Sequence, residues 1–193
     1  MIFERIKTPG IAHVAYLIGN QGEAAVVDPR RDVEEYLTLA RKHKVTIKYT
    51  IETHRQEDFV MGAAELARQC GAKVVNGRHA AFGHGDIRLA NGERFQLAKG
   101  IALVALHTPG HTPGCCCFYD AGSATVLTGD TLFCGGPGAT GRKYSDEPTI
   151  VASIRDRLLA LPDETVVHTG HGESTTIGAE REGIEAKAVE LGV

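Results

Sequence analysis

The chain has no tryptophan and only two methionines in 193 residues, and no apolar run approaches the ~20 residues that carry a helix across a bilayer. Its opening stretch, MIFERIKTPGIAHVAYLIG, has no basic leader followed by an apolar core and cleavage site, so a cytoplasmic location and no membrane partner are expected. An excess of one charge is also missing. Lys and Arg number 21 against 24 Asp and Glu, a formal charge of −3, which gives no basic field to hold nucleic acid. Five cysteines do not make a disulfide framework: three are consecutive, Cys115 to Cys117, and neighbours on a strand point to opposite faces. Reduced thiols packed in a strand are the simpler reading. Repeats, low-complexity segments and long linkers are absent as well, and the length suits one domain over 1–193.

What is present is a regular series of short apolar segments punctuated by Gly, Asn and Pro. His13 to Ile18 and Glu23 to Val27 read as strands joined at Gly19-Asn20-Gln21-Gly22. Asp32 is placed to cap a helix in which Val33, Tyr36, Leu37 and Ala40 recur at helical spacing. Val45 to Ile51 is β-branched and apolar, a buried strand; Val60 to Cys70 is helical in period and stops at Gly71. Asp86 to Leu89 and Glu93 to Leu97 flank Ala90-Asn91-Gly92, a hairpin signal. Strands follow at Ile101 to Leu106, Cys115 to Tyr119, Ala124 to Leu127 and Thr165 to His168. Pro148 at a first helical position opens an amphipathic helix with Ile150, Ile154, Leu158 and Leu161 inward, and Ile177 starts a closing helix. Strands with helices inserted at intervals fit an α/β fold of two packed sheets with helices outside, a four-layer αββα sandwich.

The chemistry concentrates where strands end. THRQEDF from Thr53, HTPGHTPG from His107, TGD from Thr128 and HTGHG from His168 each follow an apolar strand with a polar, small-residue turn. Strand ends are rigid, so side chains there can converge while the loops reach solvent. Two imidazoles and a carboxylate drawn from such turns form a ligand set for zinc or ferrous iron, and three protein ligands leave positions open for water, oxygen or substrate. Singly, each residue has an ordinary reading, the histidines as caps or exposed turn residues and Asp130 as a turn aspartate. Their joint occurrence at strand ends points to a metal. Asp28 and Asp32 read as turn and cap residues. His79 and His84 have no assigned role, His107 stands next to the metal loop, and Cys134 borders it.

Taken in order, Thr53-His54 with Asp58, Gly110-His111, Gly129-Asp130 and Gly170-His171 resemble the THxHxDH, GH, GD and final GH loops of the metallo-β-lactamase superfamily. Gln56 and Phe59 stand where that pattern has histidines, which argues against a full dinuclear centre. The remaining set resembles the mononuclear iron site of the superfamily's persulfide dioxygenases, including forms fused to rhodanese domains. The segments VVDPRRD, ETHRQEDFVMGAAELA and HTPGHTPG share that likeness, whereas GATGRKYSDEPT and HTGHGESTTIGAE resemble glyoxalase II-like hydrolases.

The resemblance implies one Fe(II), with Zn(II) as alternative, on His54, His111 and Asp130. It implies oxidation of a low-molecular-weight persulfide, such as glutathione persulfide, to sulfite and thiol. Asp58 and His171 would then orient water or ligands by hydrogen bonds, and Gln56 would hydrogen-bond a ligand. The alternative is hydrolysis of a thioester by metal-activated water, with Asp58 as general base; a binding module that has lost catalysis is a third class. Arg142, Lys143 and Tyr144 lie in the loop after Asp130, where Arg142 and Tyr144 would receive a carboxylate of the substrate; a solvated basic surface is the plain alternative. A separate rhodanese partner and a homodimer are both compatible with this reading.

Overall fold

The computed structural model describes residues 1–56, 59–81 and 84–193. Two six-stranded mixed sheets face each other. The first contains β1 (Ile2–Lys7), β2 (Val14–Asn20), β3 (Glu23–Val27), β4 (Thr46–Glu52), β5 (Lys73–Gly77) and β6 (Ile87–Leu89), adjacent in that order. β1 to β3 pair antiparallel, and β3 to β6 pair parallel. The second runs in the order β14 (Thr175–Thr176), β13 (Val166–Thr169), β10 (Thr125–Gly129), β9 (Cys116–Asp120), β8 (Ile101–His107) and β7 (Arg94–Ala98). Its pairings are antiparallel except for β10 with β13. A small hairpin, β11 (Leu132–Phe133) with β12 (Gly136–Pro137), projects beyond β10.

Strand alternation builds the layers. Val14, Tyr16 and Ile18 of β2 point between the sheets, with Val27, Ile51, Leu103, Phe118 and Leu127 among their neighbours. Ala15 and Leu17 point outward, onto Tyr36 and Ala40 of α1 (Glu34–His43) and Leu66 of α2 (Ala63–Cys70). On the far side, Cys117, Val126 and Val167 pack against α3 (Glu147–Ser153), its π-helical continuation Ile154–Leu158, and α4 (Ile177–Leu191). The result is the expected αββα sandwich. The cysteine run obeys the same alternation: Cys116 lies in the core between the sheets and Cys117 in the core under α3 and α4. All five thiols are free, and burial pushes those of Cys115 and Cys117 up to about 12 and about 11.

Five local details depart from the sequence reading. Ile2–Lys7 forms an edge strand that no clean alternation announces, since all but Ile6 and Lys7 are half-buried. The expected hairpin at Ala90-Asn91-Gly92 is instead the passage between sheets: β6 pairs with β5 and β7 pairs with β8. Asp32 makes no cap, because α1 begins after Val33 without a side-chain cap; α2 likewise begins after Gly62, not at Val60. Asp146, whose side chain accepts from the Thr149 N–H, caps α3, so Pro148 is its second residue. Among the described residues no helix is long and apolar enough to cross a membrane.

Candidate metal centre

One rim of the sandwich gathers the chemistry. β4 ends at Glu52 and delivers Thr53 and His54; β10 ends at Gly129 and delivers Asp130; β13 ends at Thr169 and delivers His171; the loop after β8 delivers His111. One ligand atom from each of His54, His111 and Asp130 lies within 4.8 Å of the others. Asp130 Oδ2 is 3.6 Å from His54 Nε2 and 3.8 Å from His111 Nε2. These gaps are too long for hydrogen bonds. They approach the ~3.4 Å that separates two donors held ~2.1 Å from a shared tetrahedral ion.

The protonation of each donor suits an ion. His111 donates its Nδ1–H to the Ala139 carbonyl at 2.8 Å, which leaves Nε2 with a free lone pair. Burial lowers its pKa against the opposing effect of that bond, so the ring is neutral. For His54 the tautomer follows from a relay. Asp28 accepts from the Thr53 N–H at 2.8 Å and from the Thr53 hydroxyl at 2.7 Å. That hydroxyl has no second proton, so at 2.9 Å it accepts the Nδ1–H of His54, and Nε2 again faces the ion position. Burial disfavours the Asp130 carboxylate, but the hydrogen bond from His171 and the electrostatic pull of the neighbouring His54 outweigh it and hold the carboxyl well below the usual range. The donor set therefore fits one Fe(II) or Zn(II), and both expected imidazoles and the carboxylate come together.

His171 donates from Nδ1 to Asp130 Oδ1 at 2.9 Å, which fixes the carboxylate with Oδ2 toward the two histidines. Gln56 is buried, and its Nε2 lies 3.4 Å from His54 Nδ1, on the side away from the ion position. Phe59, at the place of a ligand histidine in the family pattern, sits 4.1 Å from the ring of His13. Asp58 lies outside the described residues. Arg142 and Tyr144 line a cleft of about 730 Å³ that opens beside His111 and Gln56.

Two glycines allow the loops to approach. At Gly129, with φ +51°, a Cβ would collide with the Thr53 side chain, so the glycine is what lets β10 lie against the His54 loop. At Gly110, with φ +134°, a Cβ would enter the Ile150 backbone, so the His111 loop rests directly on α3.

Other residues around the site, left with ordinary roles or none in the sequence, are tied to it by the fold. Asp28 is 2% exposed, in the left-handed region at φ +48°, and burial raises its pKa against the pull of His54 and Thr53. His13 is fully buried, bonded through Nε2 to the Asp28 carbonyl and through Nδ1 to Thr8, and its backbone bridges His171 across the two sheets. His84 pairs with the buried Glu52 at 3.1 Å. His107 bonds the Pro113 carbonyl at 3.0 Å and stacks on His79, so it steadies the His111 loop. Cys134 is exposed in the β11–β12 turn, while its neighbour Phe133 meets His171 edge-on at 6.4 Å. A strand-end aspartate such as Asp28 was the available signal.

A family model described as the metallo-beta-lactamase superfamily matches residues 8–171. The chain belongs to that superfamily. It is 30% identical over 182 residues to the hydroxyacylglutathione hydrolase GloC of Haemophilus influenzae, covering 84% of this chain and 86% of the relative. It spans 62–66% of the length of longer hydroxyacylglutathione hydrolases. Among solved structures, ETHE1 from Myxococcus xanthus superposes with a TM-score of 0.90 at 26% identity, over 97% of this chain and 85% of that one. TTHA1623 in a di-iron-bound form gives 0.79 at 29% identity, over 92% and 96%. This superfamily member is thus a metal-dependent enzyme in type, similar both to hydroxyacylglutathione hydrolases and to ETHE1.

Proposed function

We propose that the protein is a mononuclear iron enzyme that oxidises a low-molecular-weight persulfide: persulfide, dioxygen and water give the thiol, hydrogen sulfite and a proton. The observation that carries this reading is a donor set complete for one ion and, among the described residues, deficient for a second. On the first loop Phe59 has no ligand atom, Gln56 lies behind His54 at Nδ1, and His171 is committed to Asp130. The similarity to ETHE1 supports the same direction.

Ferrous iron, when bound, would supply redox chemistry with dioxygen that no side chain here provides, and His54, His111 and Asp130 would hold it with positions left for reactants. The chain's own residues prepare that position. Thr53 and Ala139 fix both imidazoles in the ligating tautomer; His171 holds the carboxylate; Arg142 and Tyr144 give the cleft a rim for a substrate carboxylate. Asp58 serves as a further hydrogen-bonding group at the first loop.

The identity to GloC favours a second reading, thioester hydrolysis with Zn(II) and Asp58 as general base. An oxygen electrode separates the two. Iron-loaded protein given glutathione persulfide should consume one dioxygen per sulfite formed. No oxygen uptake, together with cleavage of a hydroxyacylglutathione by zinc-loaded protein, would replace the first reading by the second.

A further inference from the structure

Asp130 and the acceptor of His111 stand at the two ends of one short hairpin. Asp130 precedes β11, and Ala139, whose carbonyl takes the His111 Nδ1–H at 2.8 Å, follows β12. Between them the chain folds back on itself. Leu132 and Phe133 pair with Pro137 and Gly136, and the Gly138 N–H donates to the Thr131 carbonyl at 3.0 Å. Gly138 lies so close to the Asp130 carbonyl that a Cβ there would collide with it. A shift of the hairpin therefore moves the carbonyl that sets the His111 tautomer.

A two-stranded hairpin of this size does not hold its shape alone in water. Its first strand is anchored: Leu132 is fully buried under α3 and α4, and its carbonyl accepts from Thr128 Oγ1 at 2.9 Å. The second strand, Gly136–Pro137, is half-buried and carries no large side chain, and the tip at Cys134 and Gly135 is exposed. Glu180 reaches that tip. From the first turn of α4 its Oε2 accepts the Gly135 N–H at 3.0 Å, while Oε1 accepts the Thr175 hydroxyl of β14 at 2.7 Å. The residue is 8% exposed, and a buried carboxylate is costly unless donors meet it. Both donors lie outside α4, on the segments that leave the site after Asp130 and after His171.

We propose that Glu180 is a positioning residue of the metal centre. It holds the tip of the β11–β12 hairpin, the hairpin holds the Ala139 carbonyl against His111 Nδ1–H, and His111 Nε2 is thereby kept turned toward the ion position. His54 takes its orientation separately, from Thr53 at the end of β4 in the other sheet. The proposal rests on the reading of His54, His111 and Asp130 as a metal site, and it is the same whether that site oxidises or hydrolyses its substrate.

The difference between the two histidines supplies the test. In metal-free, ¹⁵N-labelled protein, nuclear magnetic resonance measures how fast each imidazole Nδ1–H exchanges with water. Glu180→Met, which fills the same space without an acceptor, should speed exchange at His111 about tenfold and leave His54 unchanged; a general loss of stability would speed both alike. Its Kd for Zn(II), by competition with a chelator, should rise about tenfold. Glu180→Gln should restore both values, since its amide oxygen can accept from Gly135 and its NH₂ can donate to Thr175 Oγ1. Wild type gives a further reading that needs no variant to fold: the Gly135 amide should be protected from exchange despite its exposed position. An unprotected Gly135 amide, or equal effects on His54 and His111, overturns the proposal. Failure of wild type to bind Zn(II) would instead strike the metal reading itself, and the proposal with it.

Discussion

Thr53 joins two groups through one hydroxyl: it donates to Asp28 and accepts from His54, so a change at this atom should be read at the ion. Thr53→Val keeps the shape and removes both bonds, and metal affinity should fall about 10–100-fold, measured by competition with a chelator. An unchanged affinity would dismiss the relay. His54, His111 and Asp130 were legible because the strand-end loop motifs that carry the family resemblance are local properties of sequence. Asp28 was not. Its partner is 25 residues away in sequence, and alone it looks like any aspartate in a turn. Gln56 was legible as a neighbour of a ligand.

Among the elements, α3 has a role beyond burial, since the His111 loop leans on it through Gly110 and the Asp146 N–H bonds the Gly110 carbonyl at 2.8 Å. Gly110→Ala should destabilise the fold by about 2–3 kcal/mol in denaturant unfolding, from a positive φ and from overpacking against Ile150. It should also weaken metal binding; a variant as stable as wild type would contradict the close approach. Periodicity made the buried strands and helices readable because each shows a face to one core. Partner choice was not readable. Ala90-Asn91-Gly92 has hairpin composition, but burial of β6 beside β5 and of β7 beside β8 outweighs the local turn preference. Edge strand β1 escaped for a related reason: half-buried positions leave a weak pattern.

At the scale of the whole molecule, an ion that binds only the folded state stabilises it. Fe(II), added without air at about a hundred times its Kd, should contribute about 2.7 kcal/mol and raise the melting temperature by roughly 5–10 °C. His54→Ala should abolish that rise; a rise that persists would place the ion elsewhere. A second global property is pH dependence. His168 of β13 contacts Phe3 and Tyr16 of the opposite sheet, and burial, aided by the charge of Arg5, pushes its pKa down to about 4. The unfolded chain takes up this proton near pH 6.5, so the contribution is complete above that pH and is lost as pH falls toward 4. After allowance for partial exposure it amounts to about 1–2 kcal/mol. The stability difference between wild type and His168→Asn should therefore vary with pH within that window and be flat above it.

The first sheet is built from the chain up to Leu89 and the second from Arg94 onward, while the ion's donors come from both. A nick at the exposed Asn91-Gly92 link would yield two fragments, each with a share of the ligands and neither with a full set. Reassembly of the pieces would then be reported by recovery of metal uptake, making the bound ion a gauge of whether the two halves have found each other.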